Sequence, residues 1–573
     1  MPVIRLSLSD NIVIMGYFLL VILIGLWFRR QQRSAEDYFA GNHQVPWWLA
    51  GISHYMSGFS AFTFVVYSEI AFRYGLVAIL LFWTSVPACI LGGWLFAARW
   101  RRARIITPVE FLEQRCNLKV RQLFAWSAIP AKVFEDSLKI FTTALFLSAG
   151  MGIGIGTAVL LCGAIVVLYT LLGGLLALVV TDYLQFLMKA MAILLLLPLA
   201  MWKLGGVVPT LHAIPANLLH ATNGPYGWVY LISYLVIVCI SYNGSWAFAQ
   251  KFYSVPDEAS GRRAAYLSAL LNFIGTPIML LPAMVARKVL PQFAASNPPQ
   301  DVYVHLVFGL LPAGMIGIIV GALFSATMAT VSADLNAMAG VLTKDVYQRI
   351  LRPAASEDRL VAIGRFATLL LGTCIVGLAI WIGQTRRESL FQTMVSAFGV
   401  LLAPTLLPLL SVLLFRKLSS SGVITGFSVG LLTGVATYFG KSVYLGHPMS
   451  QELDLRLTGY SILINVSVTC AGMYFGSRIR PAASDEAMRT ERFFRLLQDP
   501  IPALAASQAK NQNTPSSIAI GLSTVSLGAL LIASGFLANS RTALWLDGVI
   551  GLCFVLWGIP STWRWCHAGR KTF

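Results

Sequence analysis

Charged residues are scarce in this chain of 573 residues. They make up 12% of the sequence, whereas a typical soluble domain has about a quarter, and apolar residues make up 57%. The mean hydropathy is correspondingly high, at +0.72. This balance excludes a water-soluble globular protein and predicts an all-α polytopic membrane protein.

Patterns of metal ligands and disulfides are also missing. The eight cysteines are scattered without CxxC spacing, and the seven histidines are dispersed. We therefore expect no metal centre and no disulfide framework. A membrane-embedded enzyme would need His with Glu or Asp facing one cavity, and a transporter-like sensor would need an appended signalling domain. The sequence indicates neither, so we expect no catalytic residues, no enzymatic activity and no cofactor.

Apolar stretches of bilayer length are what the chain has in abundance. Fifteen of them, numbered here as spans one to fifteen, lie at 11–28, 46–72, 74–98, 122–148, 153–173, 178–202, 226–249, 264–286, 310–340, 361–383, 389–414, 419–440, 458–477, 515–537 and 542–562. The first is followed by Arg29 and Arg30 rather than by a small-residue cleavage site, so we expect a retained helix and not a signal peptide.

Basic residues dominate the charge balance, with a net charge of +18 and a pI near 9.7. If the N-terminus is outside, most of the 42 Lys and Arg residues fall in cytoplasmic loops, and the densest loop, 99–121, holds seven of them. This positive-inside bias predicts a multi-pass protein of the plasma (inner) membrane with a cytoplasmic C-terminus. The membrane topology thereby explains the excess of positive charge, and no nucleic-acid partner is expected.

The order of the spans divides the chain into six parts. They are an N-terminal extra helix and cytoplasmic loop (1–45), a first repeat (46–202), a second repeat (226–414), two additional helices (415–477), a cytoplasmic linker (478–514) and a C-terminal helical hairpin with its tail (515–573). Each repeat holds five spans, so the second begins on the opposite side of the membrane from the first. This arrangement is an inverted-topology repeat.

The first span of each repeat is interrupted by polar residues and glycine, in SHYMSGFSAFTF (53–64) and SYNGSWAF (241–248). Small residues of this kind also permit close helix packing. Their matching positions in the two repeats nevertheless favour helix breaks, near Ser57–Gly58 and near Asn243–Gly244. Unpaired backbone is tolerated in a membrane only where it lines a cavity, so both breaks are predicted to face one central cavity.

Span nine is crowded with Ser, Thr and Ala, in GALFSATMATVSADLNAMAGVLTKDVY (321–347). This segment resembles the eighth core helix of the sodium:solute symporters. EDYFAGNHQVPWWLAGIS (36–53), ITPVEFLEQR (106–115) and YTLLGGLLALVVTDYLQ (169–185) are similar to further motifs of that family, in the family's order. The resemblance covers about residues 11–478. It implies a LeuT-like 5+5 inverted repeat, with one extra N-terminal and about four extra C-terminal helices, and secondary active transport by alternating access.

The same resemblance implies a sodium site, the only metal site expected. Its ligands would be the Thr330 hydroxyl and the carbonyls of Ala326, Met56 and Phe59. The family's second hydroxyl ligand falls on Ala329, which has no hydroxyl. A second ion site or ion exit path would use Asp182 and Ser332, but two further serines of that site are alanines here, so we expect this site to be absent.

Lys189 lies seven residues after Asp182 on the same helical face, near the bilayer midplane, where an ammonium group is costly. Two interpretations stay open. The side chain has a structural role, snorkelling or contacting carbonyls, or its ammonium group occupies the volume vacated by sodium. In the second case, transport would be coupled to protons or to no ion. Hydrogen bonding between Lys189 and Thr330 or the span-two carbonyls would leave sodium no room.

The solute site implied by the family draws on five spans. Its candidate residues are Ser60, Thr63, Phe82, Trp83, Lys132, Asp136, Asn243, Ser245 and Gln392. Lys132 and Asp136, at i and i+4, form either a structural ion pair or a substrate-binding pair facing the vestibule. Only fragments of the sugar-binding set remain, so glucose and galactose are not supported. No arginine stands where carboxylate-binding members have one, which weakens the case for sialic acid.

The sequence therefore predicts a sodium-coupled symporter of a small polar organic solute, with a sugar or sugar derivative favoured. The expected partners are the solute and membrane lipid, and the expected functional unit is a monomer. The alternatives are a sodium-independent or proton-coupled transporter of the same fold, with Lys189 in place of sodium, and a transporter-like sensor.

Overall fold

The computed structural model describes residues 7–29, 34–291, 299–311, 315–385, 390–444, 450–502, 514–537 and 541–568. Within these ranges the chain is almost entirely helical, and the one β-type pairing there is an isolated bridge between Asn223 and Tyr226. The predicted all-α class is confirmed.

The first part of the chain forms eleven α-helices. They are α1 (Leu8–Arg29), α2 (Ala35–Ala40), α3 (Trp47–Ser57), α4 (Ala61–Tyr74), α5 (Leu76–Trp83), α6 (Ser85–Leu91), α7 (Ala97–Arg102), α8 (Glu110–Arg115), α9 (Leu118–Met151), α10 (Ile155–Lys203) and α11 (Val207–His212). A π-helical turn, Gly92–Phe96, joins α6 to α7, so that α5, α6 and α7 together make up span three.

The rest of the described chain continues the same pattern. Its helices are α12 (Trp228–Gly244), α13 (Trp246–Tyr253), α14 (Glu258–Met284), α15 (Ala286–Val289), α16 (Val302–Leu310), α17 (Met315–Gly340), α18 (Glu357–Thr385), α19 (Leu390–Leu414), α20 (Ser420–Tyr444), α21 (Gln451–Ile479), α22 (Ser484–Gln498), α23 (Thr514–Leu537) and α24 (Arg541–Ala568). A π-helical stretch, Val341–Leu351, extends α17.

Nine of the described helices are long and apolar enough to cross a membrane, or ten if α12 and α13 form one bent span. The predicted count of fifteen is higher and stays a prediction. Part of the difference lies in α10, whose 49 residues would reach about 74 Å, more than twice the hydrocarbon thickness. Gly174 interrupts it with a φ of 55°, in the left-handed region that glycine tolerates, and separates span five from span six.

Helix α17 is the centre of the molecule, and nearly every residue along it is buried. It packs against α1, α9, α10, α13 and α18. Its alanine, glycine and hydroxyl side chains are short, so neighbouring backbones can approach on all sides. It also contacts α3 and α4, so the hydroxyl-rich sequence of span nine lies where more than five helices meet.

Two helices that face this centre are broken, as the sequence predicts. The first break leaves Gly58, Phe59 and Ser60 outside helical structure, between α3 and α4. The second bends the chain by 50° at Ser245, between α12 and α13. Each break frees backbone carbonyl groups in the middle of a span.

The C-terminal hairpin of α23 and α24 packs against the N-terminal helix α1 and against α10. Gly16 of α1 has no room for a Cβ atom, which would lie 2.6 Å from the Leu530 side chain of α23. The Trp557 indole N–H donates a 3.0 Å hydrogen bond to the Tyr183 hydroxyl of α10. The two ends of the chain therefore meet on one side of the bundle.

A buried arginine joins helices on the predicted cytoplasmic side. Arg115, at the end of α8, donates from Nη2 to the carbonyl groups of Arg416 (3.0 Å) and Leu418 (2.7 Å), which link α19 to α20. It also donates from Nη1 to the Thr490 hydroxyl of α22, at 2.6 Å. The amphipathic helix α22 thus lies against the bundle.

Candidate ion and solute site

The two helix breaks lie next to each other. A Cβ atom added at Gly58, in the first break, would overlap the hydroxyl group of Tyr242, which lies two residues before the end of α12. The Tyr242 ring stacks on Phe248 of α13, at 4.5 Å between ring centroids. The predicted breaks are therefore brought together at one place in the bundle.

Three of the predicted sodium ligands converge at the first break. The Thr330 hydroxyl of α17 donates to the carbonyl oxygen of Phe59, and its hydrogen bond to the carbonyl oxygen of Ala326 measures 3.0 Å. All three residues are almost fully buried. One hydroxyl and two carbonyl oxygens within hydrogen-bonding reach form part of an oxygen cage of the kind that a hard cation prefers.

Met56 and Ala329 are the remaining predicted residues of this site. Their carbonyl groups accept hydrogen bonds from residues of their own chain segments. The Met56 carbonyl accepts a 3.0 Å hydrogen bond from the Phe59 N–H, so it belongs to the turn that forms the break. The Ala329 carbonyl accepts from the Ser332 hydroxyl at 3.4 Å. These contacts place Met56 at the break and Ala329 beside Thr330.

Two threonines that sequence reasoning missed fix the break to its neighbours. The Thr327 hydroxyl accepts the Ala61 N–H at 2.9 Å, where α4 begins, and is bonded to the Thr143 hydroxyl of α9 at 2.6 Å. Thr327 lies one helical turn before Thr330. Its place in the same hydroxyl-rich run was a signal that could have identified it.

The residues named for a second ion site do not bond to each other. The Asp182 carboxylate accepts from the Ser53 hydroxyl of α3, and the Ser332 hydroxyl is used within its own helix. The other oxygen of Asp182 is buried without a hydrogen-bond partner among the described residues.

Lys189 lies beside the predicted ion ligands but does not bond to them. Its ammonium group is over the Phe59 ring, 2.5 Å from the centroid, and over the Tyr55 ring at 3.8 Å. Among the described residues it has no hydrogen-bond partner, so it bonds neither to Thr330 nor to the carbonyl groups of Met56 and Phe59. The contact that would exclude sodium is therefore not formed, and the ammonium instead makes cation–π contacts.

A central cavity of about 110 Å³ adjoins this site. Of the predicted solute residues, Ser60, Thr63 and Phe82 line it, together with Thr330. Ser60 also donates its N–H to the Thr63 hydroxyl at 3.3 Å, so this pair begins α4 as well as facing the cavity. The volume is sufficient for several water molecules or one small polar solute.

Other predicted solute residues have different surroundings. Trp83 stacks on Phe273 at 5.0 Å and donates to its carbonyl group, outside this cavity. Asn243 is buried and donates to the carbonyl groups of Ala88 (3.1 Å) and Cys239 (2.8 Å). The side chain of Gln392 lies outside the described residues.

Ser245 and Lys132 line a second, smaller cavity of about 30 Å³. Lys132 and Asp136 do not form the i,i+4 ion pair that the sequence suggests. Lys132 bonds instead to Glu135 (3.0 Å) and to Asp334 of α17 (3.3 Å). The prediction of a Lys132–Asp136 pair is wrong because Asp334, contributed by a different helix, offers a closer acceptor.

Sequence reasoning also missed the tyrosines of the central cavity. Tyr67, Tyr234 and Tyr242 line it, and the hydroxyl groups of the first two are bonded to each other at 2.6 Å. Their side chains are aromatic and carry a hydroxyl group, so they can pack against a solute and hydrogen-bond to it. Isolated tyrosines in apolar spans gave no pattern from which this grouping could be found.

Broken helices around a polar central cavity are typical of secondary transporters. The family model for the sodium:solute symporter family matches residues 38–430. The chain therefore belongs to the sodium:solute symporter family, whose members are transporters rather than enzymes.

Known proteins agree with this assignment. The chain is 25% identical to sodium/glucose cotransporter 4 of Danio rerio over 499 residues, which cover 79% of this chain and 74% of that protein. It is 23% identical to the sodium/sialic acid symporter SiaT of Proteus mirabilis, with 82% of this chain and 95% of that protein covered.

A solved structure of a Na+-coupled sialic acid symporter, in a substrate-bound outward-open state, matches with a TM-score of 0.67. It has 19% sequence identity and covers 81% of this chain and 98% of that one. This match shows the LeuT-like fold. The apolar helices and the family membership show a multi-pass membrane protein, and sodium is consistent with the family as coupling ion.

Proposed function

We propose that this protein is a sodium-coupled symporter that moves a small polar organic solute across the membrane by alternating access. The observation that carries the proposal is the convergence of the Thr330 hydroxyl with the carbonyl groups of Phe59 and Ala326 at a helix break, beside a polar cavity. Freed carbonyls of a broken helix together with hydroxyls of a partner helix are a typical Na+ arrangement in transporters of this class.

A sugar or sugar derivative is the favoured class of solute. The cavity combines hydroxyl groups from Ser60, Thr63 and Tyr67 with an aromatic surface that includes Phe82, and Glu135 and Lys139 reach its edge. Several hydroxyl donors and acceptors next to aromatic rings suit a polyhydroxylated molecule better than an apolar one. Two of the similar proteins act on glucose and on sialic acid, as their names state.

In the plasma (inner) membrane, the expected orientation has the N-terminus outside and the C-terminus in the cytoplasm, and the expected functional unit is a monomer. The excess of Lys and Arg in alternate loops supports this orientation. Arg115 and its partners on α19, α20 and α22 then lie on the cytoplasmic side.

The decisive experiment is an uptake screen in proteoliposomes made with the purified protein. Sugars, polyols and small acids would be offered with an inward Na+ gradient and, in parallel, with choline in place of Na+. We expect uptake of at least one sugar or sugar derivative, and stimulation of that uptake by Na+. Uptake that is equal in the two media would contradict sodium coupling.

One observation favours a second candidate, in which transport does not depend on sodium. Lys189 places its ammonium group against the ring of Phe59, whose carbonyl is one of the proposed ligands, and Ala329 removes one hydroxyl from the set. If this charge stands in for the ion, uptake by the native protein will be sodium-independent. The combined change of Lys189→Leu and Ala329→Ser should then make uptake sodium-stimulated.

A further inference from the structure

Five charged side chains form one buried group next to the proposed solute cavity. Four of them are on α9, namely Lys132, Glu135, Asp136 and Lys139, and the fifth is Asp334 on α17. All are at most 15% exposed at the side chain. We refer to these five residues as the charged cluster.

Its ion pairs are shared unequally among the three carboxylates. Glu135 uses both oxygens, one for Lys132 (3.0 Å) and one for Lys139 (2.9 Å). One oxygen of Asp334 accepts from both Lys132 (3.3 Å) and Lys139 (3.4 Å). Asp136 has a single partner, Lys139, at 3.0 Å.

With all five groups ionised, the cluster has a net charge of −1, because it contains three carboxylates and two lysines. Neighbouring elements do not correct this excess. Lys251 of α13 interacts electrostatically with Asp334 and also with Asp182 of α10, so Lys251 and Asp182 together add one charge of each sign. Lys189 makes cation–π contacts with two aromatic rings and is not among the ion-pair partners of the cluster.

Asp136 is the carboxylate least able to remain ionised in this setting. Its side chain is fully buried, and its second oxygen has no hydrogen-bond partner among the described residues. One oxygen of Asp334 also lacks a partner there, but the other accepts from two ammonium groups, whereas Asp136 accepts from one. An unpaired ionised carboxylate in a low-dielectric interior is costly, and the usual remedy is to bind a proton. A protonated Asp136 would keep its hydrogen bond from Lys139 through one oxygen and bring the cluster to neutrality.

We propose that the charged cluster binds one exchangeable proton, carried by the Asp136 carboxyl group. Exchange would proceed through the central cavity, because Glu135 and Lys139, which lie on either side of Asp136 in the cluster, both line it. Thr143, one turn beyond Lys139, is bonded to Thr327 and so connects the cluster's helix to the sodium ligands' helix. The suggestion that this proton responds to solute or sodium binding rests on the proposed symport function, but the proton site itself does not.

Infrared spectroscopy of the purified protein in lipid nanodiscs tests the proton directly. A protonated carboxyl group in an apolar site gives a carbonyl band separate from those of amides and carboxylates, and the band shifts in D2O if the proton exchanges. We expect this band in the native protein at neutral pH in sodium-free buffer, and its loss in Asp136→Asn. The matched control Asp454→Asn, which removes a carboxylate paired with Lys441 between α20 and α21, should keep the band.

A second pair of variants tests the charge count rather than the residue. Asp334→Asn leaves two carboxylates with two lysines, so Asp136 should ionise and the band should disappear. Adding Lys132→Gln to that variant leaves two carboxylates with one lysine, and the band should return. A band that survives Asp136→Asn, or that stays absent in the double variant although size-exclusion profiles show folded protein, would overturn the proposal.

Transport assays separate this inference from the proposed function. If the native protein shows the band but takes up no solute in proteoliposomes, the symport function fails while the proton site stands. Sodium-driven uptake without any carboxyl band, in protein of normal elution profile, gives the opposite result and refutes the proton site. A band that does not shift in D2O would contradict exchange through the cavity.

Discussion

At the scale of single residues, the proposed ion site depends on one side-chain oxygen. In the proposed site Thr330 is the hydroxyl ligand, and the position at which the family has a second hydroxyl is occupied by Ala329. Removing the last hydroxyl while keeping the shape should therefore affect sodium binding more than folding. Valine is the isosteric replacement for this purpose.

We expect Thr330→Val to raise the Na+ concentration for half-maximal uptake about tenfold, which corresponds to about 1.4 kcal/mol. The measurement is uptake in proteoliposomes at graded Na+ concentrations. Thr170→Val is the control, because the Thr170 hydroxyl is buried in a span and donates to Val166 of its own helix at 2.7 Å. Equal sodium curves for both variants would place the ion elsewhere.

His43 gives a residue-scale prediction outside the membrane spans. Burial lowers its pKa to about 4, with a smaller contribution from the charge of Arg101. The ring is within 2.6 Å of the Tyr253 carbonyl, and Glu36 at 3.5 Å is 42% exposed and thus too solvated to offset the burial. The neutral ring is therefore the stable form in the folded protein.

Because the folded pKa is below the unfolded value near 6.5, His43 contributes stability at neutral pH that is lost as the pH falls through this range. We expect a loss of roughly 2 kcal/mol by pH 5. His43→Asn should reduce the fall in melting temperature between pH 7 and pH 5. Asparagine keeps a donor for the Tyr253 carbonyl and tolerates the φ of 54° at this position. An unchanged pH dependence would contradict the burial argument.

At the scale of helices, the first break requires a residue without a side chain. Gly58 lies against the Tyr242 hydroxyl, and the stacking of Tyr242 on Phe248 restricts how far that ring can move. We expect Gly58→Ala to lower uptake at least tenfold or to prevent folding, as judged by uptake and by size-exclusion profile. Gly156→Ala is the matched control, because a Cβ atom there would meet no atom within 4 Å.

The arginine that joins α8, α19, α20 and α22 gives a second helix-scale prediction. Arg115→Lys keeps the charge but cannot serve Thr490 and the Leu418 carbonyl at once, because lysine presents its donors from a single point. We expect a loss of about 3 kcal/mol, seen as a lower melting temperature. Arg349→Lys, at a side chain that is 47% exposed and pairs with Glu113, should change it little. Equal effects of the two changes would contradict a role for burial.

The helix breaks could be predicted from the sequence because they rest on local composition: glycine and polar residues in the middle of an apolar span indicate a break. The sodium site at Thr330 was implied by the resemblance to the sodium:solute symporters, and it stays a prediction. The Lys132–Asp136 pair was wrong, and the tyrosine group was missed, for a common reason. Both depend on how α9, α12 and α17 are rotated against one another, and an apolar span with polar residues on several faces does not fix that rotation. The rotation of α10, which the sequence leaves equally open, puts Lys189 on the Phe59 ring rather than among the carbonyls.

At the scale of the whole molecule, the orientation in the membrane can be tested by labelling. In a background without native cysteines, Lys571→Cys should resist impermeant thiol reagents in intact cells, and Thr222→Cys, in the loop after α11, should react. Lys571 lies outside the described residues, so the test concerns the predicted topology of the C-terminal tail. Rapid labelling of Lys571→Cys in intact cells would place the C-terminus outside.

The contact between the first and last parts of the chain has a consequence for biosynthesis. Gly16 fits against Leu530, so about five hundred residues must be translated before α1 meets α23. At about 5–20 residues per second, this takes roughly 25–100 s. During that interval the face of α1 that will contact α23 is exposed to lipid, to other nascent helices or to an insertion chaperone. A ribosome-bound chain that stops before α23 should therefore present a helix that crosslinks to the insertion machinery, and release from that machinery should coincide with the synthesis of the final hairpin.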